Sequence, residues 1–240
     1  MDHVDEWSAL ADAWARWWAP AAEPAQRAIL DAAGVGPGSR VLDVGCGTGE
    51  LVALAVARGA EAAGCDAAAG MVDAARRRSP GADLRVAQAE RLPWPDDSFD
   101  LVTLVNALAF TDVARTLVEC RRVGGLVAVA TWAEDALNDL TVLERAVAGE
   151  DHEPSDESRE EGHLGALLAE HGFTPVTEGV ADAPMVLADA DEVVAAIMFG
   201  ESDELRAELR PDVLRAARPF RRPDGSYLLR NTFRWALARR

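Results

Sequence analysis

Residues 39–59, SRVLDVGCGTGELVALAVARG, constrain the fold more than any other segment, because closely spaced glycines join a short apolar run to a helical pattern. The run RVLDV is too short for a helix and predicts a buried strand. After Gly49 the apolar residues recur at helical spacing, and Gly59 is typical of a helix end. A strand, a glycine-rich turn and a helix form the element that usually receives a nucleotide cofactor. The segment therefore predicts an α/β fold with a cofactor site after its first strand.

The alternation of apolar runs and helical patterns continues as far as Trp132. Further strands are predicted for the runs EAAGCD, ADLRVAQ, FDLVTLV and GGLVAVATW. Near-continuous apolar strands that alternate with helices are typical of a parallel sheet covered on both faces, so the pattern predicts a doubly wound α/β sheet. Ligands bind such sheets beyond the carboxyl ends of the strands. The glycines lie at that edge, where we expect the cofactor.

The chain of 240 residues divides by pattern into three segments of one domain. We expect residues 1–38 to form an N-terminal helical lid and residues 39–132 to form the cofactor-binding core. Residues 133–240 are expected to complete the sheet, with an insertion before the last strand that helps to build the substrate pocket. An acidic run within residues 134–162 is typical of a solvated segment. Its position after the fifth strand also allows it to close over the site.

Four apolar residues of the first segment, Trp7, Leu10, Trp14 and Trp17, recur at helical spacing and are expected to form one stripe of a helix. Such a stripe is typical of a helix packed on the core. It also fits a lid whose indole rings cover the cofactor or an apolar substrate. The residue pattern leaves both interpretations open.

The formal net charge of −17, with arginine but no lysine, speaks against a nucleic-acid partner, since proteins bind phosphate backbones through basic patches. A neutral or cationic small molecule is the expected substrate. No apolar run approaches the ~20 residues that cross a bilayer, and the first residues lack the pattern of a secretory signal. We therefore expect a cytoplasmic protein without a membrane partner, present as a monomer or a homodimer. Its cysteines are expected to be free thiols.

The spacing of the glycines bears on which cofactor binds. Dinucleotide-binding loops carry the pattern G-x-G-x-x-G, whereas the glycines here are Gly45, Gly47 and Gly49. Asp43 precedes the first glycine by two positions, and a carboxylate there would repel a pyrophosphate. The same carboxylate suits a cofactor that carries an ammonium group. A nicotinamide dinucleotide is therefore the less favoured cofactor.

The residues VLDVGCGTGE resemble the first motif of the class I S-adenosylmethionine-dependent methyltransferases. The resemblance continues in order and spacing through GCDAAAGMVDAARRR, AQAERLPWPDDSFDLVTLVNAL and GGLVAVATW, and it covers residues 39–132. It implies the Rossmann-like methyltransferase fold, a mostly parallel seven-stranded sheet with an antiparallel last strand. It also implies S-adenosylmethionine as the cofactor and S-adenosylhomocysteine as its product, with no metal ion.

The cofactor contacts of the family carry over, residue by residue, to Asp43, Gly45, Cys46, Gly47, Asp66, Ala67, Met71, Gln88, Ala89, Glu90 and Asn106. The first loop and Asn106 would face the methionine part, Met71 the adenine face, and residues 88–90 the adenine edge. Asp66 would accept hydrogen bonds from both ribose hydroxyls, because a carboxylate offers two acceptor oxygens to two adjacent donors. Relatives usually carry an acid where this chain has Gln88, which is a weaker, neutral acceptor.

A sulfonium methyl group is already electrophilic, so the protein must mainly hold the acceptor in line with it and exclude water. A general base helps where the acceptor is a hydroxyl or a carbon acid. The candidates are His152, His163 and His171, and we prefer His163 because its helix begins where the chain returns from the substrate edge. A surface or capping histidine explains the same positions.

Trp14 and Trp17 of the lid and Met198 and Phe199 of the insertion are the expected walls of the substrate pocket. The fourth strand is followed by NALAF and not by the Asn-Pro-Pro-aromatic clamp of base- and glutamine-modifying relatives. The sequence also shows no cluster with the spacing of metal ligands. We therefore predict methyl transfer to oxygen, nitrogen or carbon of a small, partly apolar metabolite, in natural-product biosynthesis by analogy with the family.

Two other functions fit the same fold. In one, bound S-adenosylmethionine is a scaffold for a cyclisation or rearrangement without methyl transfer. In the other, the chain is a non-catalytic partner subunit that binds the cofactor only. The appearance of labelled methyl in a product separates methyl transfer from both.

Overall fold

A central sheet organises the computed structural model, which describes residues 3–149 and 157–240. In chain order the strands are β1 (Arg40–Val44), β2 (Glu61–Asp66), β3 (Asp83–Val86), β4 (Phe99–Val105), β5 (Gly124–Trp132), β6 (Thr174–Asp182), β7 (Met185–Leu187), β8 (Tyr227–Leu229) and β9 (Thr232–Arg239). Seven of them form one sheet in the order β3-β2-β1-β4-β5-β9-β6, in which β9 is antiparallel to both neighbours. The pairs among β1 to β5 are parallel. The predicted seven-stranded, mostly parallel sheet with an antiparallel last strand is confirmed.

Helices cover the two faces and the carboxyl edge of this sheet. They are α1 (His3–Trp17), α2 (Ala19–Ala32), α3 (Glu50–Ala57), α4 (Ala69–Arg78), α5 (Val113–Val123), α6 (Leu140–Ala148), α7 (His163–Glu170), α8 (Ala190–Ile197) and α9 (Asp203–Ala217). Across the described ranges, no helix has the length and apolar character needed to span a bilayer.

The two faces of the sheet pack into different cores because successive side chains of a strand point to opposite faces. Val41 and Leu101 share one core with α2 and α3. Their strand neighbours Leu42 and Val102 share the other core with α5 and α7. All four side chains are at most 1% exposed. The apolar runs of β1 and β4 are therefore explained by burial on both faces, as the sequence pattern predicts.

The N-terminal segment forms two helices with different neighbours. α1 packs on α4, where Ala11 shares a small core with Ala68 and Met71. α2 lies on the sheet, and its Ile29 and Leu30 are fully buried. Each such side chain contributes about 1.5–3 kcal/mol through burial. The part of the predicted lid that is placed to cover a ligand is therefore α1, whereas α2 belongs to the core of the fold.

The last segment, SYLLRNTFRWALARR, forms two strands and not the single strand that its alternation predicts. The break lies at Asn231, whose side chain is 3% exposed. Its Oδ1 accepts from the N–H of Leu140 over 3.0 Å, and its Nδ2 donates to the carbonyl of Ala183 over 3.4 Å. These bonds fix the break to α6 and to the end of β6. β8 consequently pairs with β7 in a separate two-stranded sheet.

Candidate functional site

The loop between β1 and α3 lies at the carboxyl edge of the sheet. Gly45 in this loop has φ of +70°, a left-handed conformation that residues with a side chain rarely adopt. A Cβ atom added at Gly45 would come within 3.0 Å of the Cβ of Ala107, in the loop after β4. Glycine is therefore required here by the backbone conformation and also by the neighbouring loop.

Asp43 lies in β1 directly below this loop and is 4% exposed. Its Oδ1 accepts a hydrogen bond of 2.7 Å from the hydroxyl of Thr103, its register partner on β4. Burial raises the pKa of the Asp43 carboxyl to about 7; the hydrogen bond from Thr103 opposes this shift, and the charges of Glu50 and Asp66 add to it. A cationic group beside Asp43 would favour the ionised form. Asp43 is therefore suited to receive an ammonium group.

Asp66 ends β2 beside the same loop. Its Oδ2 accepts from the N–H of Gly47 over 3.0 Å, and its Oδ1 accepts from the N–H of Ala68 over 2.9 Å. Burial raises the pKa of the Asp66 carboxyl, while backbone hydrogen bonds from Ala68, Gly47 and Ala67 lower it. Each carboxylate oxygen has about two lone pairs, so both oxygens retain capacity for a further donor. Asp66 therefore holds the loop in place and still offers two acceptors to a diol.

Arg78, at the end of α4, fixes the loop from behind. Its Nε donates to the carbonyl of Thr48 over 3.0 Å, and a terminal nitrogen lies 2.7 Å from Oε1 of Glu50. The Thr48 hydroxyl donates to the same Glu50 oxygen over 2.6 Å. This network could not be predicted from the sequence, because arginines at the end of a helix are explained equally well by the helix dipole.

Cys46 and Met71, two of the predicted cofactor contacts, have buried side chains. Cys46 is 5% exposed, and burial raises the pKa of its thiol well above the usual value. Met71 is 3% exposed and packs with Ala68 beneath α1. Contacts through these side chains stay predictions, because α1 in this position covers Met71. Cys46, Cys65 and Cys120 are all buried, free thiols, as expected.

The loops after β3 and β4 carry the remaining predicted contacts. Glu90 accepts from the N–H of Asp112 over 2.8 Å, so its side chain joins the loop after β3 to the start of α5. Gln88 is exposed and Ala89 is half-buried in the same loop. Asn106 follows β4 with φ of +53°, and its N–H donates to β5 over 2.8 Å. The parallel strands bring these residues to the edge that carries Asp66, and their cofactor contacts stay predictions.

The four residues predicted to line the substrate pocket divide into two pairs. The indole Nε1 of Trp14 lies 3.4 Å from the position of a Cβ at Gly47, and the ring of Phe199 lies 6.3 Å from that of Trp14. Trp17 instead lines a separate groove beside β7, because α1 ends at this residue and the chain turns into α2. Met198 is fully buried in the core around β7 and β8. In the structure Trp17 and Met198 therefore lie away from the predicted pocket wall.

Six partly or largely exposed aromatic residues meet at this edge, and we call them the aromatic cluster: Trp7, Trp14, Trp18, Phe110, Trp132 and Phe199. The ring centroid of Trp7 lies 5.4 Å from that of Trp14, 5.8 Å from that of Phe110 and 6.0 Å from that of Phe199. Trp18 lies 6.4 Å from Trp14 and 6.2 Å from Trp132. The cluster joins α1, the ends of β4 and β5, and the connection between α8 and α9. Sequence spacing could not predict that these six residues lie together, because they come from separate strands, helices and connections.

His163, the predicted general base, begins α7, which packs on β6 and β9. These strands form the end of the sheet remote from β2. Strands lie about 4.8 Å apart, so α7 is roughly 15–20 Å from the loop after β1. His171 caps its own helix, with Nδ1 2.9 Å from the carbonyl of Leu167, and His152 lies outside the described residues. The structure therefore does not bring His163 to the cofactor loop. The prediction placed it there because the position of a residue in the sequence does not reveal the order of the outer strands.

Comparison with known protein families identifies the central segment. Residues 42–129 match the family model described as a methyltransferase domain. The match begins in β1 and ends in β5, so it contains the glycine loop, Asp66 and the loop after β4.

Curated relatives match about half of the chain. A demethylmenaquinone methyltransferase from Beutenbergia cavernae is 38% identical over 112 residues, which are 45% of this chain and 47% of that protein. A malonyl-[acyl-carrier protein] O-methyltransferase from Methylococcus capsulatus is 40% identical over 125 residues, which are 48% of this chain and 46% of that protein. The chain thus spans about half the length of the curated relatives it matches.

A solved structure shares the fold over a larger part of the chain. Geranyl diphosphate C-methyltransferase from Streptomyces coelicolor, in complex with Mg²⁺, geranyl diphosphate and S-adenosylhomocysteine, superposes with a TM-score of 0.54. The sequences are 16% identical, and the alignment covers 91% of this chain and 79% of that chain. Among the residues that the structure describes, no group of three or more His, Cys, Asp or Glu side chains is arranged to hold a metal ion. A metal-free reaction stays a prediction.

Proposed function

We propose that this chain, whose residues 42–129 match a methyltransferase domain, is a class I S-adenosylmethionine-dependent methyltransferase that transfers the methyl group of S-adenosylmethionine to a small, partly apolar molecule. The observation that carries the proposal is the geometry of Asp66. This half-buried carboxylate ends β2, holds the glycine loop through Gly47 and keeps an acceptor position on each oxygen.

The residues at the carboxyl edge suit each polar part of this cofactor. Asp66 offers two oxygens to the two ribose hydroxyls, and Asp43 offers a buried carboxylate to the ammonium group. Gly45 and Gly47 carry no side chain of their own to keep a ligand away from the loop backbone at these two positions. When bound, S-adenosylmethionine supplies an electrophilic methyl group on a sulfonium sulfur.

The aromatic cluster is the part of the chain that we propose to receive the acceptor molecule. Trp14 adjoins the glycine loop at Gly47, and Phe199 and Trp7 extend the apolar surface away from it. Aromatic walls at this position would exclude water and hold an acceptor near the cofactor, and such positioning accounts for much of the rate of a two-substrate reaction.

Position, and not a histidine base, is the proposed source of catalysis. α7 covers β6 and β9, so His163 lies several strands away from the loop that carries Gly45. An acceptor atom with an available lone pair needs no base within reach before it attacks the methyl group.

The remaining parts of the proposal depend on composition and family analogy. The net charge of −17 favours a small-molecule substrate over a nucleic-acid partner. Action in the cytoplasm, as a monomer or homodimer, and a role in natural-product biosynthesis complete the proposal. The scaffold and partner-subunit alternatives use the same cofactor site. They differ from the proposed function in the fate of the methyl group.

The decisive experiment uses S-adenosylmethionine with an isotopically labelled methyl group, the purified chain and a small-molecule extract of the source organism. We expect mass spectrometry to show a product that carries the label, and we expect less of this product with the Asp66→Asn variant at a limiting cofactor concentration. Labelled cofactor that binds without any transfer of label would contradict methyl transfer and support one of the alternatives.

A further inference from the structure

Resting on the proposed function, we infer that the substrate is an arylalkylamine whose ammonium group binds to the aromatic cluster, while a different atom of the substrate, one with a free lone pair, accepts the methyl group and the electrons of the broken S–C bond stay on sulfur. The inference names the substrate class from the rings that surround the site, from the polar groups that are already engaged there and from the charge of the adjoining segments.

The aromatic cluster forms a continuous surface. Neighbouring ring centroids lie 5.4–6.4 Å apart, within the range of aromatic packing. Every member is partly exposed, and Phe110 is 62% exposed. Contiguous exposed apolar surface usually marks a binding site. Because Trp14 adjoins Gly47, this surface continues directly from the proposed cofactor site.

Several polar groups near the cluster already have partners. Trp18 Nε1 donates to a backbone carbonyl of α8 over 3.0 Å. Arg16 lies 2.5 Å from a carboxylate oxygen of α8, and Arg206 donates to the carbonyl at the end of α8 over 3.1 Å. A phosphate or carboxylate on the substrate would therefore compete with partners that these arginines already have. These contacts favour recognition through ring faces.

The segments that supply the rings also carry acidic residues. An acid lies within two positions of a ring in four of them: Glu6 near Trp7, Asp112 near Phe110, Glu134 near Trp132 and Glu201 near Phe199. Arg115 and Arg234 pair with two of these acids, while the net charge of −17 keeps the overall potential negative. A cation over a tryptophan face is attracted by the negative face of the ring. Both effects favour a cationic substrate over a neutral or anionic one.

Three probes that share one ring and differ in charge test the inference: 2-naphthylmethylamine, 2-naphthylmethanol and 2-naphthoate. Equilibrium dialysis against the full chain with saturating S-adenosylhomocysteine gives each dissociation constant. We expect the amine to bind about tenfold more tightly than the naphthoate, with the alcohol between them. Phe199→Leu and Trp7→Leu should each weaken amine binding severalfold. Trp94→Phe is the matched control, since Trp94 packs on Phe99 outside the cluster and should leave binding unchanged.

Binding of the naphthoate as tightly as the amine would overturn the inference. So would equal loss of amine binding in the Trp94 control and in the cluster variants, because this would indicate a general effect on stability. If S-adenosylhomocysteine binds but none of the three probes does, the substrate class is wrong and the proposed function stands. If S-adenosylhomocysteine itself does not bind, the proposed function fails and the inference fails with it.

Discussion

Replacing Gly45 by alanine tests whether the glycine loop has the conformation and the neighbour that the structure gives it. Residues with a side chain pay about 1–2 kcal/mol in the left-handed region, and Gly45 has φ of +70°. The added Cβ would also come within 3.0 Å of the Ala107 Cβ. Overpacking of this kind costs about 1–3 kcal/mol. We therefore expect Gly45→Ala to lower the free energy of unfolding by roughly 2–5 kcal/mol.

Urea denaturation, followed by circular dichroism, measures this loss. Gly38→Ala is the matched control, because Gly38 has φ of +86° and a Cβ added there would meet no heavy atom within 4 Å. The control should lose only the conformational part, about 1–2 kcal/mol. The difference between the two variants then reports the contact with Ala107.

A second substitution separates the contact with Ala107 from the backbone conformation of Gly45. In the Gly45→Ala background, Ala107→Gly removes the opposing Cβ and leaves the Ala107 Cα at 3.6 Å as the nearest atom. Measured against Ala107→Gly alone, Gly45→Ala should then cost no more than the Gly38 control. Equal losses for Gly45→Ala and Gly38→Ala in the parent chain, or no relief in the double variant, would refute the predicted packing of the two loops.

Three further predictions concern residues around the site. Arg78→Met should lower the free energy of unfolding by about 1 kcal/mol and weaken S-adenosylhomocysteine binding, since the loop loses its partner at Thr48. Arg77→Met is the control, because Arg77 and its partner are largely exposed and 3.6 Å apart; equal effects on denaturation and calorimetry would contradict the role of Arg78. Asp43 has a folded pKa raised to about 7, so its stabilising effect is complete below its unfolded pKa of 3.8 and is lost as the pH rises towards 7. As the pH rises from 5 to 7, the free energy of unfolding of Asp43→Asn should therefore increase by roughly 2–3 kcal/mol relative to that of the parent. A difference in free energy of unfolding between the two proteins that stays constant across that range would rule this out. His163→Gln should change the rate of methyl transfer by less than about twofold, because α7 lies several strands from the loop; a loss of activity at unchanged stability would restore His163 as the base.

The central sheet was predictable from the sequence because each of its strands and turns is specified by residues that are close together in the chain. Burial on both faces makes β4 and β5 largely apolar, and the glycine loop forces a turn after β1. Asp43 and Asp66 could be placed at the carboxyl edge because each closes or nearly closes a parallel strand. The break at Asn231 could not be predicted, since its alternating pattern continues through the residue and the partners lie on α6 and after β6.

The substrate side was less predictable because it is assembled from separate segments. Trp17 and Trp18 are adjacent in sequence, yet Trp18 joins the aromatic cluster and Trp17 turns to a groove beside β7. The choice depends on where α1 ends and not on helical spacing. Phe110 follows β4 and Trp132 ends β5, and only the parallel pairing of these two strands brings their ends to the same edge. His163 was misplaced relative to the loop because its distance depends on strand order.

Calorimetric titration tests the central claim, that the edge built by the glycine loop and Asp66 receives S-adenosylmethionine. S-adenosylhomocysteine and NAD⁺ are titrated in turn into the parent chain and into Asp66→Asn. The account predicts one S-adenosylhomocysteine per chain, affinity weakened by about 5–150-fold in the variant, and no heat of binding from NAD⁺. Binding of NAD⁺ in its place, or unchanged affinity for S-adenosylhomocysteine without the Asp66 carboxylate, would contradict it.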